Sequence, residues 1–164
     1  MELHSKEKGA LGELVIMKDL LSRGYPVFIE YGDNSRVDLI ALVGQRPVKI
    51  QVKARKAHKD LVTIDTKKSG PNYSYIYDDG DIDIFALYAF EEDKIAYINS
   101  KYLLSKGKRK TMSFRTIPTK NNQEKNVHYM DNYRSFEEAL RGHTLPTVTG
   151  NADGEEMVQT TTKQ

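Results

Sequence analysis

Two stretches rich in β-branched and aliphatic residues, Val37–Val43 and Val48–Ala54, flank the short break Gly44–Pro47. Runs bounded by Gly and Pro form strands, and a break this short returns the chain antiparallel beside itself. The apolar density of both suits strands in the middle of a sheet. Side chains alternate faces along a strand. Ile50 and Val52 therefore take one face, and Lys49, Gln51 and Lys53 take the other. A strand that should be covered on both sides thus carries polar residues on one of them, and Asp38 opens its hairpin partner. Whatever else the chain builds has to accommodate that polar face.

Around the hairpin the pattern predicts a first helix over Lys6–Ser22, with Ser5 as N-cap, Ala10, Leu14, Met17 and Leu21 as its core stripe, and Gly24 after its last turn. Tyr25–Glu30 reads as a strand and Tyr31–Arg36 as a turn-rich loop. Further strands are expected at Leu61–Asp65, Ile82–Phe90 and Lys94–Ile98, with an edge strand at Thr111–Ile117. Ser69–Asp81, rich in Gly, Pro, Asn and Tyr, reads as a loop, although Tyr73, Tyr75 and Tyr77 alternate at strand spacing. Asn99 or Ser100 caps a short helix through Leu104, and Ser135 with Glu138 resembles a capping box before the helix Phe136–Arg141. Lys120–Asn126 is polar. The order of elements indicates an α/β fold, a single domain over residues 1–142, with a disordered tail over 143–164.

Composition removes several chemistries. There is no cysteine, which excludes disulfides, zinc–thiolate sites and cysteine nucleophiles. No apolar run is long enough to span a bilayer, and the charged segment Met1–Gly9 lacks the core of a signal peptide, so the chain reads as a soluble, intracellular, cytoplasmic protein. His58 and His128 have no partner at metal spacing, and Asp78–Asp83 lacks the closing glutamate of a calcium loop. The net charge is only +2, but cations cluster between Arg46 and Lys68 and again between Lys101 and Lys125, a distribution suited to phosphates.

The hairpin brings Asp38 close to Gln51 and Lys53, and Glu13, beside the apolar stripe of the first helix, can face the same place. Two acids, an amide oxygen and a lysine suit phosphodiester hydrolysis. Magnesium takes hard oxygen ligands and keeps several waters, with Asp38 as central ligand and Glu13 and Gln51 beside it. It acidifies a bound water and offsets charge on the phosphorane. Lys53 would orient the attacking water or stabilise the transition state.

The pattern Gly12-Glu13, then Val37-Asp38-Leu39-Ile40, then Ile50-Gln51-Val52-Lys53 resembles the PD-(D/E)XK nuclease superfamily, and within it the cyanobacterial homing endonucleases encoded in group I introns. Asp81–Tyr88, Ala96–Ile98 and Lys101–Leu104 are similar to that branch too, and the resemblance covers about Gly9 to Leu104. It implies a mixed central sheet flanked by helices, a magnesium or manganese cofactor, and cleavage of double-stranded DNA. It also implies a homo-oligomer, dimer or tetramer, acting on a long pseudo-palindromic site. Two positions depart from the superfamily: Val37 replaces the proline before the aspartate, and Gln51 replaces the second acid, as it does within the homing branch. Lys49, Arg55, Lys56, Lys59, Lys67 and Lys68 are the expected DNA contacts. A junction resolvase, a restriction-type nuclease and an inactive DNA-binding scaffold are the alternatives.

Overall fold

The hairpin forms where the sequence places it, as β2 (Leu39–Val43) and β3 (Arg46–Arg55) joined through Gly44, whose φ of +64° suits a residue without a Cβ. The computed structural model describes residues 4–30, 35–70, 73–104, 111–119 and 127–142. The turn residues 31–34, the basic segment 105–110, the polar stretch 120–126 and the tail 143–164 lie outside them. So the expectation of a disordered tail, and part of the second basic cluster, fall outside the described residues.

The elements before the hairpin are α1 (Ser5–Ser22) and β1 (Val27–Ile29). After it come β4 (Leu61–Ile64), β5 (Lys67–Gly70), β6 (Tyr73–Ile76), β7 (Ile84–Ala89), β8 (Lys94–Asn99) and α2 (Lys101–Leu104). The chain continues with β9 (Met112–Arg115), β10 (His128–Tyr129), a 3-10 turn at Met130–Tyr133 and α3 (Phe136–Arg141). Five strands form the main sheet in the order β1-β2-β3-β7-β8. Its pairs are antiparallel except β3 with β7, which run parallel from Ile50↔Ile84 to Arg55↔Ala89. β3 and β7 are thus interior strands, and β7 is buried along its whole length.

Alternation splits the core into two layers. Ile50, Val52, Ile84 and Ala86 join Ile16 and Leu20 of α1 and Phe136 and Ala139 of α3 on one face. Phe85, Leu87 and Ala89 face the other way, with Ile64, Tyr77, Leu103, Phe114, Met130 and Tyr133. That second face is covered mainly by a small sheet of order β10-β9-β4, with α2 and the 3-10 turn. No described helix is long and apolar enough to cross a membrane.

Four expectations need correction. α1 starts one residue early, with His4 as N-cap, whose N–H meets the Glu7 carboxylate at 2.7 Å. Its buried face is Gly12, Ile16 and Leu20, while Leu14 and Leu21 of the expected stripe are 58% and 52% exposed. Both stripes share one periodicity, and the close approach is made by a glycine that carries no hydrophobic signal: a Cβ on Gly12 would stand 2.5 Å from Ala54 Cβ. The stretch read as a loop from Ser69 contains the end of β5 and the whole of β6, an antiparallel ribbon closed at its base by the Tyr77 N–H donating to the Thr66 carbonyl at 3.0 Å. Finally β9 is no edge, since it has β4 on one side and β10 on the other.

Candidate active site

Asp38 sits one residue before β2, where the register Leu39↔Ile50 sets it opposite Gln51. Its N–H donates to the Ile50 carbonyl at 3.0 Å, extending the ladder by one rung. Its Oδ2 accepts from the Val52 N–H at 2.8 Å and from Gln51 Nε2. The carboxylate is thereby aimed by the very strand it has to address.

Gln51 and Lys53 leave the same face of β3 and are 3% and 5% exposed. Burying such groups is costly unless each finds partners. For Gln51 every partner is in view. Its Nε2 donates to Asp38 and, at 3.2 Å, to the Val52 carbonyl, and its Oε1 accepts from the Tyr77 hydroxyl at 2.5 Å. The Lys53 ammonium donates to the Lys67 carbonyl at 3.0 Å, lies 3.8 Å from Asp65 Oδ1, and stands 5.4 Å from the centre of the Tyr77 ring. Tyr77 itself is fully buried, edge-on to Tyr75 and Phe85. Burial, followed by the neighbouring Tyr75 hydroxyl and the negative charges of Asp38 and Asp65, pushes its pKa far above that of a free tyrosine. The phenol stays protonated at any working pH.

Asp38, Gln51 and Lys53 therefore belong to one polar cluster, half-buried at Asp38 and buried at the other two, with Tyr77 between Gln51 and Lys53. Glu13 comes from the other layer. It follows Gly12, where α1 rests on Val52 and Ala54, on the opposite face of β3 from Gln51 and Lys53, and it is half-buried. Among the described residues no three His, Asp or Glu side chains gather closely enough to hold a metal ion. A divalent cation would have to be held by Asp38 and Glu13 with the Gln51 oxygen and water. Carboxylate and amide oxygens are hard donors of the right kind for such an ion once the Gln51 oxygen leaves Tyr77, and Glu13 would have to reach Asp38 from the other layer.

The expected DNA contacts are scattered and mostly engaged. Lys49 donates to the Gly80 carbonyl, and its backbone N–H meets Asp83 Oδ2 at 2.8 Å, so Asp83 ties β3 to the entrance of β7. Arg55 lies 3.9 Å from Asp65, and Lys56 pairs with Glu91 at 2.7 Å. Lys59 is exposed on a turn of positive φ, and Lys67 is exposed at the start of β5. Lys68 lies on β5, but its side chain is outside what is described. In the acidic stretch, Asp81 is engaged by Arg36 and by the Asp78 N–H. Although burial raises the Asp81 pKa, the Asp78 backbone and Arg36, at 2.6 Å, bring it below the usual carboxylate value.

Tyr77 and Asp65 are the members that sequence reasoning missed. The alternation of Tyr73, Tyr75 and Tyr77 was the only signal for the first, and it does not say which ring turns inward. Asp65 had the weaker sign of being one of two acids in a basic run.

Residues 3–136 match the sequence model of a family described as PD-(D/E)XK endonuclease. A solved structure with a similar fold is that of a bacterial homing endonuclease, I-Ssp6803I, at a TM-score of 0.65 and 20% identity, covering 85% of this chain and 95% of that one. The comparison with curated proteins gives no match.

Proposed function

The chain belongs to the PD-(D/E)XK endonuclease family, and on that premise we propose that it is a site-specific DNA endonuclease of the intron-homing type, hydrolysing phosphodiester bonds in double-stranded DNA with bound magnesium or manganese. The observation that carries this reading is the half-buried contact of Asp38 with Gln51, two residues along β3 from a buried Lys53. A core strand tolerates an ammonium and an amide side by side only at a cost in stability, and such a cost is typical of functional sites. The homing assignment leans on the fold neighbour and on the glutamine in place of an acid.

In this reading Asp38 and Glu13 supply the carboxylate charge and Gln51 a neutral oxygen. The cation they hold would lower the pKa of a bound water and offset charge on the scissile phosphate. Asp38 is kept in place by the Val52 N–H. The Lys53 ammonium, steered by the Lys67 carbonyl and Asp65, provides a positive charge for the developing phosphorane oxygens and a donor to orient the attacking water. The low exposure of Gln51 and Lys53 keeps bulk water from screening these charges. Lys49, Arg55, Lys56, Lys59, Lys67 and Lys68 are proposed as phosphate contacts, those with acidic partners exchanging them for phosphate.

We also propose a homo-oligomer, supported by the apolar residues left outside: Leu14 and Leu21 on α1, and Phe28 and Ile29 on the edge strand β1, 53% and 65% exposed. A specific observation favours one other reading, the inactive scaffold: Gln51 turns its NH2, not its oxygen, to Asp38. Incubation with a randomised duplex library, with magnesium or with EDTA, separates the two. Magnesium-dependent cuts at one long sequence, lost in Asp38→Asn, support the homing enzyme. Selective binding without cleavage in magnesium or manganese supports the scaffold, and preferential cutting of four-way junctions would replace homing with junction resolution.

A further inference from the structure

The Gln51 amide is held at both ends, and its orientation is fixed by what surrounds it. Its NH2 faces two acceptors, Asp38 Oδ2 and the Val52 carbonyl, and its oxygen faces a hydroxyl donor. Turned over without a cation, the amide would set its oxygen against a carboxylate and a carbonyl with no proton between them. Turned over beside a cation, the same gathering of oxygens becomes favourable, because hard divalent ions are held by clustered oxygens. The amide NH2 would then face Tyr77. A phenol oxygen accepts hydrogen bonds as well as donating them, so it can serve either end of the amide. Its ring is fully buried and packed edge-on between Tyr75 and Phe85, so only the hydroxyl proton has to swing, from Gln51 toward the Tyr75 hydroxyl beside it.

We infer that Tyr77 is a positioning residue whose hydroxyl holds the Gln51 amide in either of two orientations, letting its oxygen turn from Tyr77 toward a cation at Asp38 without leaving a buried group unpaired. This rests on the metal-dependent reading above. Because the natural residue is an amide with unlike ends, the turn is required here. A carboxylate at the same position would offer an oxygen to both sides at once and need no turn.

The test uses the full chain with its glutamine side chains 15N-labelled. Nuclear Overhauser contacts from the Gln51 NH2 protons should be absent to the Tyr77 ring protons in metal-free protein and should appear when magnesium saturates the site. A parallel titration follows manganese binding by electron paramagnetic resonance. Tyr77→Phe should weaken binding roughly fivefold, about one hydrogen bond, since an orphaned buried N–H in the turned state costs more than an orphaned carbonyl in the other. In a Gln51→Glu background the same Tyr77→Phe change should weaken binding less than about twofold, as no turn is needed. Metal binding that depends on Asp38 but leaves the contacts unchanged, or an equal loss in both backgrounds, overturns the role of Tyr77 and leaves the metal site standing. Manganese binding unaltered by Asp38→Asn overturns both.

Discussion

Placing alanine at Gly12 tests how closely the helix carrying Glu13 is seated on the sheet. In an open helix the change would stabilise by about 1 kcal/mol, since glycine is a poor helix former. Here the new methyl carbon would stand 2.5 Å from Ala54 Cβ and 3.6 Å from Val52 Cγ1. The obstacle is a methyl fixed to the backbone of β3, an interior strand paired on both sides, so no side chain can swing away. Ordinary carbon contact needs a separation of about 3.5–4 Å, so α1 has to lift by roughly 1 Å. Overpacking of that order costs about 1–3 kcal/mol, which outweighs the propensity gain. The net loss should be about 1 kcal/mol, a fall of roughly 2–4 °C in Tm for a chain of this size. Glu13 moves with the helix, and a displacement near 1 Å can cost about a hundredfold in rate. Cleavage should therefore fall much further than stability. Thermal unfolding by circular dichroism and single-turnover cleavage of a duplex substrate would measure the two, with Gly12→Ala in an Ala54→Gly background as the partner of a double-mutant cycle. If Gly12→Ala equals or exceeds the natural chain in Tm, or if Ala54→Gly restores nothing, the helix is not seated as described.

The other predictions are shorter. Lys53→Met should lower cleavage roughly a hundredfold or more while Tm holds or rises, because a buried charge is replaced by a similar apolar volume; filter binding should show DNA affinity retained. Asp38→Asn should abolish magnesium-induced stabilisation in a thermal shift assay, and a shift equal to that of the natural chain would remove Asp38 from the metal site. Burial holds the His128 pKa below its ordinary 6.5. As pH falls below that value the unfolded chain takes up the proton first, so the stability present at higher pH drains away on acidification. Urea midpoints at pH 7.5 and 5.5 should differ less in His128→Gln than in the natural chain, and an identical difference would refute the assignment.

Local pattern revealed what local pattern controls. The turn is tighter than the Gly44–Pro47 break that the sequence suggests: Arg46 and Pro47 already pair with Val43 and Leu42, and that register sets Asp38 against Gln51. Two-residue alternation put Gln51 and Lys53 on one face and the apolar residues of β3 on the other. Errors arose where contact is decided at a distance. The spacing of Ala10, Leu14, Met17 and Leu21 predicts one helix face, whereas the packing face turns on Gly12, whose contribution is the absence of a side chain. The ribbon of β5 and β6 is hidden in the sequence by the Gly, Pro and Asn of this stretch, which signal a break without saying that strands flank it. β9 looked like an edge because its second neighbour, β10, is a two-residue strand. The Tyr77–Gln51 bond spans 26 residues and follows no spacing rule.

The ribbon of β5 and β6 has one more consequence. Its incoming strand begins at Lys67, whose carbonyl holds the Lys53 ammonium, and its outgoing strand runs into Tyr77, whose hydroxyl holds Gln51. The two ends are clasped to each other by the Tyr77 N–H on Thr66. A tilt of this hairpin would therefore reach both polar side chains of β3 together. The pose of the ribbon and the alignment of Gln51 and Lys53 are thus coupled through its base, where the Thr66–Tyr77 bond joins the two strands.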